Sequence, residues 1–400
     1  MQKDTESSLD PFVVNSQVQV TQAGIHRIRR GHLWIYAGDV SREKVEGNPP
    51  IVQLIDGAGN VLGYAFYSRQ SQIRLRLLSR DSAPPSREFF RTRILDSIAR
   101  RQTLFKNSTA YRLVFGEGDL LPGIIIDRYG EYLVLQTLSR GGDALKSVLV
   151  DILNEVVGPL GILERNDVKA RRLEGLEEVS GILWGSVPEE VIIQEGAARL
   201  AVNLIRGHKT GFFLDQSQNR IEAGKYAAGK VLDCFTNTGA FALQFAPQCD
   251  SVLAVDISED SLAQARRNGE LNGIRNIEFT EANVFDYLRN LESEGRLFDL
   301  INLDPPAFAK NRNALSGARS GYKEINLRAL KLLRPDGILI TSSCSYHMLE
   351  NDFLDLICEA AQDARRQLQI IERRSQASDH PVLAGMPETH YLKCFFLRAL

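Results

Sequence analysis

From Gly229 onward, apolar runs of strand length alternate strictly with amphipathic stretches, and this rhythm limits the folds open to the chain more than any other feature. Strands are expected at Val231–Phe235, Ser251–Asp256, Ile277–Thr280, Leu297–Asp304 and Gly337–Ser343. Helices fit Ala240–Phe245, Glu259–Asn272, Val284–Leu291, Tyr322–Leu333 and Met348–Ala364. Parallel strands need a crossover, usually a helix, so the pattern predicts a parallel sheet covered by helices on both faces. Tyr391–Ala399 is a further strand that follows a loop with no crossover helix, which predicts antiparallel pairing.

The 400 residues exceed one ordinary domain of about 150 residues. Residues 16–80 read as short strands: Val18-Gln-Val-Gln alternates, and two apolar runs between Val52 and Tyr67 flank a Gly/Asn turn. Gln72-Ile-Arg-Leu-Arg-Leu-Leu alternates again and places Arg74 and Arg76 on one face. Ser82-Ala-Pro-Pro-Ser then breaks the pattern. Phe90, Ile94 and Ile98 recur at helical spacing within Arg87–Lys106, strands are expected at 111–115, 123–127 and 132–138, and Asp143–Val157 reads as a second helix. A hairpin fits 191–195 and 200–206. The expected organisation is a small β module at 15–82, a central α+β domain at 84–190, and a Rossmann-like α/β domain at 191–400.

The hydrophobic share is 44% and the charged share 24%, as in globular proteins with filled cores. No apolar run approaches the ~18 residues of a membrane span, and the polar, acidic start has no secretory core, so no membrane partner is expected. The five cysteines are scattered and form no CxxC pair, which predicts neither a zinc site nor a disulfide framework and fits a reducing cytoplasm. No metal-ligand cluster is apparent, and metal independence is expected. Net charge is −2, yet residues 16–80 hold nine Arg/Lys against four Asp/Glu. A basic module on an acidic body suits a nucleic-acid contact, although a solvated basic face gives the same count.

Strand Val231–Phe235 runs into Thr-Asn237-Thr-Gly239 and then a helix, a nucleotide-type cradle in which Asp233, Phe235, Asn237 and Gly239 are candidate ligand contacts. An ordinary βα turn would look similar. Phe235 and Asn237 stand where further glycines would admit a pyrophosphate, so a ligand without phosphate fits better, with Asp233 free to accept from a cationic ammonium. The next strand ends in Val255-Asp256-Ile257. Asp256 follows Asp233 by 23 residues, near the offset of about 20 expected for an acid that binds ribose hydroxyls. Asn283, at the third strand's end, offers an amide for an adenine edge. Asp304-Pro-Pro-Ala-Phe308 ends the fourth strand on two prolines that cannot continue a ladder and fix Asp304 at the carboxyl edge. Cys344 sits just past the fifth strand on that same edge. Lone cysteines are mostly inert hydrophobes, but only Cys344 has this placement.

These motifs, Asp-Cys-Phe-Thr-Asn-Thr-Gly-Ala-Phe, Asp-Pro-Pro-Ala-Phe and Thr-Ser-Ser-Cys-Ser, with Lys209–Arg220 upstream, resemble the PUA-containing large-subunit rRNA cytosine-C5 methyltransferase family. Gly31-His-Leu-Trp-Ile-Tyr-Ala-Gly resembles that family's RNA-binding PUA module, and Leu121-Pro-Gly-Ile-Ile-Ile-Asp-Arg-Tyr-Gly its central domain. The resemblance implies S-adenosyl-L-methionine as cofactor, S-adenosyl-L-homocysteine as product and large-subunit rRNA as partner, and leaves a homodimer open. It implies that Phe213, Arg220, Asp233, Phe235, Asp256, Asn283 and Asp304 line the cofactor pocket, with Ile257 beside Asp256. It also implies Cys344 as the thiol that adds to C6 of cytosine, with Asp304 as the second catalytic group. Many RNA cytosine-5 enzymes carry a second Cys directly after the Pro-Pro; here that residue is Ala307, which leaves the acceptor of the C5 proton unassigned.

Three other readings compete. A methyltransferase acting on an exocyclic amine would use Asp-Pro-Pro and an aromatic but need no thiol. A catalytically silent RNA-binding protein would have no use for Asp233, Asp256 and Asp304. An NAD-linked oxidoreductase is disfavoured by the missing glycines.

Overall fold

The computed structural model describes residues 10–207, 209–309 and 315–400. They form two compact units. The first runs to Glu189 and takes in Asn203–Phe212 and Asp379–Thr389; the second holds the remainder.

The first unit begins with β1 (Gln17–Val20), α1 (Gln22–Arg29), β2 (Trp34–Ile35), β3 (Val40–Lys44), β4 (Ile51–Ile55), β5 (Val61–Tyr67) and β6 (Leu75–Ser79). Its six-stranded sheet has the order β2-β6-β5-β4-β1-β3. The β4–β5 hairpin forms as expected. The short helix α1 interrupts the strands where the sequence pattern gives no helical period: Thr21 caps it by accepting from the Gly24 N–H at 3.3 Å, and only Ile25 and Ile28 anchor its inner face. One expectation is corrected. β6 is buried along its whole length, and Arg76 makes a two-pronged ion pair with buried Glu174 at 2.8 and 3.1 Å, while Arg74 pairs with Glu43. These two arginines do not form an open cationic face, because a guanidinium entering a core must bring its counter-charge with it.

The same unit continues with α2 (Arg87–Leu104), β7 (Ala110–Phe115), β8 (Ile124–Tyr129), β9 (Tyr132–Thr137), α3 (Arg140–Ala144), α4 (Lys146–Val156), β10 (Gly161–Asn166) and β11 (Val179–Gly185). The strands pair as β11-β10-β9-β8-β7. Asn203–Phe212 and Asp379–Thr389, placed by sequence in the 191–400 segment, belong here for electrostatic reasons. Thr210 donates to Asp127 at 2.5 Å, the Arg112 N–H donates to the Asp379 carboxylate at 2.7 Å, and buried Arg101 reaches both Asp119 and the Asp379 carbonyl. Buried Arg101 on α2 and buried Asp127 on β8 thus each find a partner on a returning segment, as does the backbone N–H of Arg112 on β7.

In the second unit β12 (Glu190–Glu195) and β13 (Ala198–Asn203) form a ribbon, followed by α5 (Ser217–Gly224). Then come β14 (Lys230–Cys234), α6 (Ala240–Phe245), β15 (Ser251–Asp256), α7 (Glu259–Leu271), β16 (Ile277–Glu281), α8 (Val284–Ser293), β17 (Phe298–Leu303), α9 (Leu315–Leu332), β18 (Leu333–Ser343), α10 (Glu350–Asp363), β19 (Leu368–Arg374) and β20 (Lys393–Ala399). The sheet order is β16-β15-β14-β17-β18-β20-β19, with β20 antiparallel to β18 and β19. Alternate residues fill two cores: Leu232, Cys234, Val255, Ile301 and Leu303 face one way, and Val231, Val252, Ala254 and Leu300 the other. Burial on both faces explains the unbroken apolar runs of these strands. Strand order reverses between β14 and β17, and at such a switch point the carboxyl ends of the strands leave a crevice for a ligand.

Candidate active site at the carboxyl edge of the second sheet

The turn after β14 is built from alternating backbone hands. Phe235, Asn237 and Gly239 have φ of 62°, 50° and 79°. Gly239 is needed there, since a Cβ would lie 3.1 Å from the Ala265 Cβ in an already left-handed conformation. Asp233 braces the turn from within. It is fully buried and accepts from Thr236 Oγ1 at 2.5 Å and from Asn302 Nδ2 at 2.8 Å. Burial raises its carboxyl to about 7 against these two donors. Each of its oxygens thus accepts from a protein group and supports the turn, at the residue where the sequence suggests an acceptor for an ammonium.

Asp256, at the end of β15, is half-buried. Its Oδ2 accepts the Asn237 N–H at 2.9 Å and its Oδ1 the Ser258 N–H at 3.0 Å. A carboxylate has about four acceptor positions, so two hydroxyl donors can still be received. Ile257 beside it is 66% exposed, an apolar side chain at a polar edge. Asn283 is exposed and its Oδ1 caps α8 by accepting the Phe285 N–H at 2.9 Å. Its carbonyl is thereby oriented by the helix start. Half-buried Phe235 and Phe285 meet Phe308 at ring-centroid separations of 6.4 and 5.8 Å. A carboxylate for hydroxyls, an exposed aliphatic side chain and aromatic faces, without a multi-glycine phosphate loop, fit an adenosyl ligand that carries no phosphate.

The segment Phe213–Arg220 is wired into the same edge. Arg220 is buried and holds Glu195 on β12 through Nε and Nη2 at 2.7 and 2.6 Å, while Nη2 also donates to the Phe213 carbonyl at 2.9 Å. Glu195 keeps this guanidinium charged despite its burial. Arg220 thus fixes the backbone of Phe213, and its side chain is committed to protein partners. Gln216 donates to Asp304 Oδ1 at 2.8 Å and accepts from Asn219 at 2.6 Å, and Asn219 accepts in turn from Arg374 at 2.9 Å. Glu195, Gln216 and Asn302 are site residues that the sequence alone does not single out. Gln216 lies inside the Lys209–Arg220 motif, and that is the available signal.

Two loops meet beyond β17 and β18, which are parallel neighbours. Ser345 Oγ accepts the Ala309 N–H at 3.2 Å, and the buried Tyr322 hydroxyl lies 3.0 Å from Ser345 Oγ and 2.9 Å from Ser343 Oγ. These bonds draw Asp304-Pro-Pro and Cys344 together, and Cys344 Sγ stands 4.0 Å from the Pro305 carbonyl. Cys344 is half-buried, whereas burial pushes the thiols of Cys234, Cys249 and Cys394 up, the last two to about 11 and about 12. Among the described residues no group of three His, Cys, Asp or Glu side chains is arranged to hold a metal, and no helix is long and apolar enough to cross a membrane.

Residues 18–80 match the PUA-like domain family and residues 225–384 a methyltransferase domain family. The chain is 44% identical over 375 residues to ribosomal RNA large subunit methyltransferase I of Shewanella amazonensis, covering 91% of this chain and 94% of that one. It is 42% identical over 384 residues to the protein of the same name from Tolumonas auensis, covering 93% and 96%. Among solved structures, a chain assigned as a SAM-dependent methyltransferase from Streptococcus mutans superimposes with a TM-score of 0.80 at 25% identity, over 96% of this chain and 99% of that one. A second, solved in complex with SAH, gives 0.81 at 25% identity and the same coverage.

Proposed function

The chain belongs to the ribosomal RNA large subunit methyltransferase I family, and we propose that it methylates C5 of a cytosine in large-subunit rRNA, with Cys344 as the nucleophile. S-adenosylmethionine is the cofactor, and when bound it supplies an electrophilic methyl group on a sulfonium. Asp256 would receive the ribose hydroxyls, Ile257 and Phe235 would flank the adenosyl group, and Asn283 would face the adenine edge.

The observation that supports the reading is the joining of the Pro305–Ala309 and Ser343–Ser345 loops, where the half-buried Cys344 thiol stands 4.0 Å from the carbonyl of Pro305, the residue after Asp304. C5 of cytosine is a weak nucleophile. Addition of the Cys344 thiolate at C6 breaks the C5=C6 π bond and moves its electron pair toward C5, the carbon that would take the methyl group from the cofactor as the methyl–sulfur electron pair returns to sulfur. Asp304, held by Gln216, accepts from the exocyclic amine and keeps the ring in line. Loss of the C5 proton to solvent restores the double bond and expels the Cys344 thiolate. The N-terminal module, residues 18–80, serves RNA docking.

The test is product identity. Large-subunit rRNA is incubated with the enzyme and methyl-labelled cofactor, then digested to nucleosides and resolved by mass spectrometry. 5-Methylcytidine is expected. Label on the exocyclic nitrogen would replace this reading with the amine methyltransferase, which needs no thiol.

A further inference from the structure

Lys393 stands out among the groups not used above. β20 pairs with β18 so that Lys393 lies opposite Ser343, the last residue of that strand before Cys344. Its side chain is buried, 3% exposed, and turns toward the Cys344 loop, where Nζ donates to the Ser345 carbonyl at 2.7 Å and to the Tyr391 carbonyl at 2.8 Å. Among the described residues no carboxylate pairs with it. A buried ammonium without a carboxylate is costly, and two neutral carbonyls do not neutralise it.

We propose that Lys393 is a positioning residue whose ammonium is the counter-charge that holds Cys344 as a thiolate. This rests on the reading of Cys344 as nucleophile. The proton leaves sulfur for solvent, the electron pair stays on Sγ, and the fixed ammonium lowers the cost of that charge.

The surroundings support the pairing. Burial lowers the Lys393 amine to about 8, and the charges that oppose this are first Cys344 and then Glu350 at the start of α10. Attraction between two titrating groups is mutual, so the partner that favours the ammonium is favoured as an anion by it. Tyr322 on α9, whose phenol is raised by burial, also senses Cys344. On β19, Glu372 and Arg374 act on Cys394, the next residue along β20, whose side chain points to the opposite face. Lysine in this role differs from a structural anchor: an anchor fixes the loop, whereas a counter-charge also shifts the thiol's titration.

The experiment measures the rate of iodoacetamide alkylation of Cys344 against pH, with the modified peptide quantified by mass spectrometry. Exposed Cys358 in the same sample is the internal reference. The Cys344 midpoint is expected below that of Cys358. Lys393→Met should move it up by about one pH unit and leave Cys358 unchanged, and Lys393→Arg should restore most of the shift. A Cys344 midpoint at or above that of Cys358 in the unaltered protein overturns the proposal, and so does an unmoved midpoint in a folded Lys393→Met variant. If Lys393→Met does not fold, the comparison within the unaltered protein decides. Failure of the nucleophile reading shows separately, as a Cys344→Ala protein that still forms 5-methylcytidine.

Discussion

Gln216 donates a 2.8 Å hydrogen bond from its side-chain amide to Oδ1 of Asp304. The donor lies just before α5 and the acceptor just after β17, so a residue 88 positions away orients the carboxylate that opens the Pro-Pro loop. Hydrogen bonds to charged groups contribute about 1.5–3 kcal/mol. Gln216→Leu should therefore lower kcat/KM by about ten- to hundredfold with little change in cofactor affinity. Parallel kinetics and calorimetry check both halves of that expectation.

Asp256 is the expected ribose acceptor. Asp256→Ala should weaken S-adenosylmethionine binding about ten- to hundredfold, from the loss of about 1.5–3 kcal/mol. Isothermal calorimetry measures it. An unchanged affinity in a folded variant would remove Asp256 from the cofactor site.

Cys344 should be trapped on RNA bearing 5-fluorocytidine at the target, because fluorine blocks loss of a C5 proton and the thioether to C6 persists. The adduct should survive denaturing electrophoresis. Cys344→Ala should form neither adduct nor product while still binding cofactor. Adduct formation by Cys344→Ala would exclude this mechanism.

The basic module has two kinds of cationic residue, and they should behave differently. Arg42 and Lys44 on β3 are exposed, whereas Arg76 is buried against Glu174. Replacing Arg42 and Lys44 with glutamine should flatten the salt dependence of RNA binding by about one to two units of slope, one counterion for each phosphate that the protein no longer neutralises. Arg76→Ala should instead destabilise the protein by about 3–5 kcal/mol, because Glu174 is left buried and unpaired. Filter binding across salt and thermal melting separate the two effects. A steep slope retained without Arg42 and Lys44 would assign docking to another surface.

The second unit was legible in the sequence because its strands are buried on both faces and its ligand edge is punctuated. Asp256 ends a strand, Asp304 and Cys344 directly follow one, and Asp233 is the last residue but one of another, which a one-dimensional pattern reveals. Side-chain commitments were not legible. That Arg220 belongs to Glu195, and Arg76 to Glu174, depends on pairings 25 and 98 residues apart, and an arginine that binds a ligand reads the same as one that binds a glutamate. β19 is hidden in the sequence because its exposed alternation, Leu368-Gln-Ile-Ile-Glu-Arg-Arg, belongs to an edge strand with one wet face. Lys393 did leave a trace: a single cation inside Tyr-Leu-Lys-Cys-Phe-Phe-Leu sits where an apolar residue would be expected, and charged residues are rarely buried in such a run.

The position of β20 between β18 and β19 bears on how the protein is made. A ribosome delivers residues in order, yet the strand that fills this interior slot, Lys393–Ala399, is synthesised after every other strand in its sheet. Asp379–Thr389, which completes the first unit, emerges only shortly before it. During translation, then, β18 and β19 wait with unpaired edges, and Arg101 waits without the Asp379 carbonyl. Such edges recruit foreign strands, so the nascent chain is most vulnerable to aggregation before this strand emerges, and loss of residues 379–400 would leave both units unfinished.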